Sequence, residues 1–298
     1  MTTKVSLYIP CHKVEAYIAP VIEGALRQTL CADEILIVDD GSTDRTREIA
    51  AHYPVTVLRH DQNRGLAAAR NTGIRHARNE LVASLDADCV PDPKWLEILS
   101  NTMADQNVAI AGGRLIETVL ASVADRWRQS HMPQDWGEAR IVNPRFMFGN
   151  NTIVRKSVVQ DAGGYDERLR TNGEDVDISQ RIRARGLGFL YEPSAVVRHL
   201  RHDTARSVLD AYWRWWKFGV NAYANGVRLR SVLGTFYRAH LRTSFADCAA
   251  QDLRKRRFEL LPLDALLVGY MPYRDMRLYF DARASARASR LSAEVKTH

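Results

Sequence analysis

Short apolar runs alternate with segments of helical spacing through the first third of the chain, and this alternation restricts the fold more than any other feature. Residues 5–9, 35–38, 55–58 and 81–85 read as strands, with helices expected at 17–28, 43–51 and 66–78. Strands and helices in alternation build βαβ units, and hence an α/β fold with a largely parallel sheet flanked by helices. Open sheets of this kind bind ligands outside the carboxyl ends of their strands. Acidic residues stand at those ends here. Val38-Asp39-Asp40-Gly41-Ser42 closes the second run and Leu85-Asp86-Ala87-Asp88 the fourth, while Gly173-Glu174-Asp175-Val176-Asp177 opens a later helix-like stretch.

Beyond Asp88, Val90-Pro91-Asp92-Pro93 reads as a turn into a helix at 94–103. A strand at 108–116 follows, with Gly112-Gly113 as its expected bulge. Residues 121–145 give a helix and then a loop, and 146–154 an extended segment. A helix over 175–185 closes at Gly186, and two short strands, 189–191 and 195–197, end at Arg198-His199. After Thr204 only helices are expected, at 208–223, 233–245, 260–270 and 278–291. The division that follows is a catalytic part, 1–204, and a helical part, 205–298.

With 46% apolar and 26% charged residues in 298, the chain has the composition of a soluble globular protein with one large domain and an appendage. Cys11, Cys31, Cys89 and Cys248 lie far apart, a spacing that suggests neither a zinc site nor a disulfide framework. The first residues run straight into a strand and no apolar run is long enough to cross a bilayer, so a cytoplasmic protein is expected. Its net charge of +7 is unevenly placed. Residues 205–298 hold 17 Lys and Arg against 8 Asp and Glu, so the helical part should meet something anionic.

Asp86 and Asp88 form an Asp-x-Asp pair at a strand end. Such a pair can hold a hard divalent cation, and with it phosphate oxygens. On that reading Asp88 binds Mg2+ or Mn2+, and Asp86 holds the sugar or the ion's water shell. The plainer reading is a solvated loop with two capping acids. Asp39 and Asp40 either cap the following turn or accept a hydrogen bond from a nucleobase or ribose. Glu174 and Asp175 are either a catalytic acid pair or ordinary partners of a helix N-terminus. Trp213-Arg214-Trp215-Trp216-Lys217 either packs against a core or lies on an anionic membrane surface. No nucleic-acid motif accompanies the basic charge.

Taken in order, Val5-Ser6-Leu7-Tyr8-Ile9-Pro10, Gln28-Thr29, Ile37-Val38-Asp39-Asp40-Gly41-Ser42-Thr43-Asp44, Ala69-Arg70-Asn71 and Asp86-Ala87-Asp88 resemble family 2 glycosyltransferases with the GT-A fold. Gly163-Gly164-Tyr165-Asp166-Glu167, Gly173-Glu174-Asp175, Arg181-x-Arg183 and His199 extend the resemblance to about residue 200. It implies that Pro10 and Asp40 line the base pocket and that Arg70 approaches the nucleotide. Asp86 would lie beside the ribose or sugar, Asp88 would hold a diphosphate-bound Mn2+ or Mg2+, and His199 would assist there. Asp175 would be the general base of an inverting transfer, with Glu174 the competitor for that role. Lys13 departs from the family, which often has Asn there. The implied reaction moves a sugar from a nucleotide-diphosphate donor, UDP-sugar favoured, to a glycan or lipid-linked acceptor in bacterial surface polysaccharide or glycoconjugate synthesis. A sugar-nucleotide nucleotidyltransferase and a non-catalytic carbohydrate- or membrane-binding protein are the alternatives.

Overall fold

The computed structural model describes residues 3–219 and 245–295, which form two compact units. The first holds Met1–Val119 and Pro133–Arg201, and the second Leu120–Met132 and His202–His298.

The first unit is built on one sheet of strands β1 (Val5–Cys11), β2 (Glu34–Asp39), β3 (Thr56–Arg59), β4 (Leu81–Leu85), β5 (Cys89–Pro91), β6 (Val108–Glu117), β7 (Ile141–Val142), β8 (Asn151–Arg155) and β9 (Gly188–His199). Their order is β3-β2-β1-β4-β8-β6-β9-β5, with β7 added against β9. Strands β3, β2, β1, β4, β6 and β9 run one way; β8, β5 and β7 run against them. The sheet is therefore mostly parallel. Alternation along the strands sorts side chains between two layers, since successive residues face opposite sides. Val5, Leu7 and Ile9 of β1 pack with Ile18, Val21 and Ile22 of α1 (Ile18–Leu26) and with Trp95, Leu96 and Leu99 of a later helix. Tyr8 between them faces the other layer, with Ala67, Ile74, Tyr165, Ile178 and Ile182.

Chain order reverses around β1: β2 and β3 lie on one side, β4 on the other. Such a reversal opens a crevice at the strands' carboxyl ends. Pairing of β1 with β4 stops at Tyr8↔Ser84, whereas pairing with β2 continues to Cys11↔Asp39. Buried Pro10 thus lies where the sheet splays.

Two expectations change. The two short strands near the end are a single strand, β9, whose pairing with β6 carries an irregularity between Gly112↔Tyr191 and Arg114↔Val196. Pro193 falls inside that irregularity, where a missing N–H is tolerated, so the break seen in the sequence is a bulge rather than an end. Gly113 lies opposite, as the expected bulge; a Cβ there would come within 1.9 Å of the Ala195 carbonyl. Likewise Val90 and Pro91, expected to begin a turn, belong to a short strand, Cys89–Pro91, antiparallel to β9 with Cys89 opposite His199. That pairing carries the second acidic segment to the histidine.

The second unit is helical, and it draws one helix from outside the expected 205–298 part. Helices α2 (Thr46–Ala50), α3 (Leu66–His76) and α4 (Trp95–Thr102) belong to the first unit, whereas α5 (Val123–His131) packs with the C-terminal helices. Its Trp127 is buried among Val208, Tyr212, Leu263 and Leu267. Ser122 and Asp125 start α5 with reciprocal side-chain-to-backbone bonds. Helices α6 (Lys156–Asp161) and α7 (Glu174–Arg183) complete the first unit; α8 (Ala205–Gly219), α9 (Ala246–Arg254) and α10 (Leu261–Val295) complete the second. Helix α10 runs through Pro272 where two helices are expected. The expected helix at 233–245 and the end of the one at 208–223 lie outside the described residues, apart from residue 245. Trp213 is buried, donates its indole N–H to Asp275 at 2.9 Å and carries the Arg274 guanidinium over its ring. Trp215 and Trp216 pack against the same core. No described helix is long and apolar enough to cross a membrane.

Candidate active site

Strands β1, β2 and β4 deliver Pro10, Asp40 and Asp86 to neighbouring positions at one edge of the sheet. Asp39 and Asp40 leave β2 with different tasks. One Asp39 carboxylate oxygen accepts the Ser42 backbone N–H at 3.0 Å, and the other is buried without a hydrogen-bond partner among the described residues. Asp40 is the hub of the neighbouring loop. Its carboxylate accepts the backbone N–H groups of Arg64 and Gly65, each at 2.8 Å, and contacts His60 Nδ1 at 2.7 Å. His60 in turn meets Thr72 Oγ1 at 2.9 Å. The segment ahead of α3 (Leu66–His76) is thereby tied to the strand end.

Arg70, expected to approach the nucleotide, is bonded within the protein. It is 2% exposed, beneath the site, and its guanidinium is committed to the protein. Nε donates to Glu174 at 3.2 Å, Nη1 to Ser84 Oγ and the Gly149 carbonyl, and Nη2 to Asp86 at 3.1 Å. One buried cation thus ties the Asp-x-Asp loop, the start of α7 and the segment before β8. Gly149 is needed for this close approach, because a Cβ there would sit 2.8 Å from Arg70 Nη2. Burial raises the Asp86 carboxyl, while Arg70 works against that rise.

The two acids at the start of α7 are separated by their surroundings. Glu174 is 3% exposed and paired with Arg70; Asp175 is only partly buried. Asp175 accepts the Gly149 N–H at 3.2 Å and the Val176 N–H at 2.8 Å. Burial lifts its carboxyl above the ordinary range, against the pull of Arg70 and of these backbone donors. Burial and the charge of Asp175 push Glu174 up to about 7.

Asp88 and His199 meet across the β5–β9 pairing, with Asp88 Oδ2 3.2 Å from His199 Nε2. The far nitrogen, Nδ1, lies 2.8 Å from Glu117, and Glu117 is the residue that sequence reasoning missed. Its only signal was a carboxylate ending β6 in register with His199. Burial lowers the imidazole's affinity for a proton, but Asp88 and then Glu117 outweigh it and raise His199 to about 9. A carboxylate beside an imidazole anchored at its other nitrogen suits a divalent cation. The remaining Glu117 oxygen is buried without a hydrogen-bond partner among the described residues, and the Cys89 thiol adjoins the group. The residues therefore fit a bound metal.

Other motif residues hold the frame. Asn71 donates to the Tyr165 carbonyl and accepts the Tyr165 N–H, which fastens the Gly163-to-Glu167 turn to α3. Arg181 pairs with Asp177 one turn earlier on α7, and Arg183 donates to the Pro144 carbonyl.

Comparison with known proteins agrees with this architecture. Residues 6–163, more than half the chain, match Glycosyl transferase family 2. A pre-mycofactocin glycosyltransferase of Mycobacterium tuberculosis is 32% identical over 204 residues, covering 64% of this chain and 43% of the relative. Glycosyltransferase AglE of Haloferax volcanii is 28% identical over 207 residues, covering 65% of this chain and 66% of its own. The matched stretch thus spans less than two thirds of either relative. The crystal structure of S. aureus TarS 1-349 has a TM-score of 0.57 at 17% identity, covering 96% of this chain and 92% of that one. The structure of GalNAc-T7 with UDP, GalNAc and Mn2+ has a TM-score of 0.55 at 17% identity, covering 75% and 48%. Family sequence and overall architecture point the same way: the chain belongs to glycosyltransferase family 2 and has the GT-A fold.

Proposed function

We propose that the crevice at the carboxyl ends of β1, β2 and β4 binds a nucleotide-diphosphate sugar, a UDP-sugar in the first instance, and transfers its sugar with inversion to a hydroxyl of a glycan or lipid-linked acceptor. The observation that carries this reading is the presence of acids from three segments at one end of the sheet. Asp40 follows β2, Asp86 and Asp88 follow β4, and Arg70 joins Asp86 to Glu174 beside Asp175 at the start of α7. The presence of UDP and Mn2+ in the GalNAc-T7 structure supports the same donor chemistry.

Asp175 takes the acceptor's proton as the acceptor oxygen bonds to the anomeric carbon and the bond to the diphosphate breaks. Its partial exposure favours it over the sealed Glu174, and its raised pKa suits a general base. Glu174 instead contacts Arg70, which holds Asp86 in place. Asp88 and His199 are the residues that would hold Mn2+ or Mg2+, whose charge offsets that developing on the departing diphosphate. Glu117 fixes the imidazole from behind. The basic region 205–298 supports contact with an anionic acceptor or membrane surface.

The test is a thermal-shift screen of the full chain against UDP, GDP, dTDP, CDP and ATP, each with and without Mn2+. A ligand at about 100 times its dissociation constant adds roughly 2.7 kcal/mol. Metal-dependent stabilisation by one nucleoside diphosphate, lost in Asp88→Ala, is expected. Stabilisation by ATP alone, or by none of the panel, would overturn the reading.

A further inference from the structure

The second unit contains a buried group of metal-binding residues that sugar transfer does not use. His131 ends α5, Cys248 and Asp252 stand one turn apart on α9, and Asp264 lies in the first turn of α10. Cys248 is 5% exposed, Asp252 and Asp264 are 0% exposed, and the His131 side chain is 2% exposed. One donor atom from each of His131, Cys248 and Asp264 lies within 4.8 Å of the others. His131 Nε2 is 2.8 Å from Asp252 Oδ2 and 3.9 Å from Asp264 Oδ1.

We propose that His131, Cys248 and Asp264, with Asp252 as the fourth donor, form a zinc site that staples α5, α9 and α10. The charge balance favours a cation. One imidazolium can offset only one of two fully buried carboxylates, and a buried unpaired charge is costly. Asp252 Oδ1 and Asp264 Oδ2 are both buried without a hydrogen-bond partner among the described residues, although the two carboxyl groups interact directly. Trp127 donates its indole N–H to Asp264 Oδ1 at 2.8 Å, which orients that carboxylate and leaves Oδ2 for a ligand. Tyr212 Oη lies 3.7 Å from Cys248 Sγ, a contact that steadies a thiolate.

Imidazole, thiolate and carboxylate together suit zinc, whereas Mg2+ and Mn2+ prefer oxygen donors. Tetrahedral zinc sets its ligand atoms roughly 3.3–3.6 Å apart, so on binding the wider separations contract and the 2.8 Å His131–Asp252 contact opens. His131 lies 121 residues from Asp252 in the chain, which is why cysteine spacing alone gave no zinc signal. The competing occupant of the same gap is a proton shared between Asp252 and Asp264.

The test uses the full chain without a polyhistidine tag, in an Asp88→Asn background that removes the other cation position. Elemental analysis after dialysis should find about one zinc per chain. Cys248→Ser and His131→Gln should each lose it, and a chelator should lower Tm in the background protein but not in these variants. Less than a tenth of an equivalent in the Asp88→Asn protein, or uptake unaffected by Cys248→Ser, would overturn the site in favour of the shared proton. Should the variants fail to fold, cobalt loaded in place of zinc reads the thiolate directly in the unaltered cysteine background. A thiolate-to-cobalt charge-transfer band supports the site, and its absence overturns it.

Discussion

At the residue scale, the acids of this chain are distinguished by what surrounds them rather than by type. Glu174 and Asp175 are adjacent, yet one is sealed against Arg70 and the other is partly open. Asp175→Asn should cut kcat on the order of 10²–10⁴-fold while nucleotide binding persists. In the unaltered protein kcat/KM should climb with pH through a value above that of an ordinary aspartate, because Asp175 is raised. Lost nucleotide binding with undiminished turnover of the bound fraction would exclude it as the base. Glu174 yields a stability prediction. Its folded value of about 7 exceeds the ordinary 4.5, so the folded state holds the proton more tightly than the unfolded one. The contribution is therefore complete below about pH 4.5 and is lost as pH rises toward 7. Tm measured across this window should fall more steeply in the unaltered protein than in Glu174→Gln. Lys13 has φ of 55°, a left-handed conformation in which asparagine is better tolerated. Lys13→Asn should add a fraction of the roughly 1–2 kcal/mol that this conformation costs, measured by denaturant unfolding.

At the element scale, the site depends on two pairings that bring distant segments together. β9 carries His199 to Asp88 through β5 and to Glu117 through β6. The bulge at Gly113 sets the register between them. Gly113→Ala drives a methyl into the Ala195 backbone, so a loss of about 1–3 kcal/mol is expected, at the upper end because backbone cannot swing aside. The shift in β9 should also weaken metal-dependent nucleotide binding beyond the loss of stability. Unchanged metal dependence in the folded variant would show that β9 register does not govern the site.

At the scale of the whole molecule, charge is segregated along the chain. The excess of 17 basic over 8 acidic residues lies in 205–298, while the remainder is near neutral. Anionic vesicles should co-float with the full chain at low ionic strength and release it as salt shortens the screening length toward about 8 Å. Equal flotation with uncharged vesicles would exclude charge as the cause. The tryptophans take little part in this prediction. Trp213 is buried against Asp275 and Arg274, and its two neighbours pack on the same helical core.

By itself, the sequence determined the parallel βαβ beginning and the strand ends at which Asp40 and Asp86 emerge. Those follow from local periodicity, and an apolar run of four or five residues closed by an acid reads the same in any context. It also determined the bulge at Gly112-Gly113, because glycine pairs mark places where a side chain has no room. Only tertiary structure decided that Arg70 is a buried tie beneath the site, that Glu117 stands behind His199, and that β9 is one strand. It alone gathered His131, Cys248, Asp252 and Asp264 into one buried group. Each of these depends on partners some 80 to 140 residues apart in the chain. Periodicity reports which face of an element is apolar, but not which distant group will meet it there.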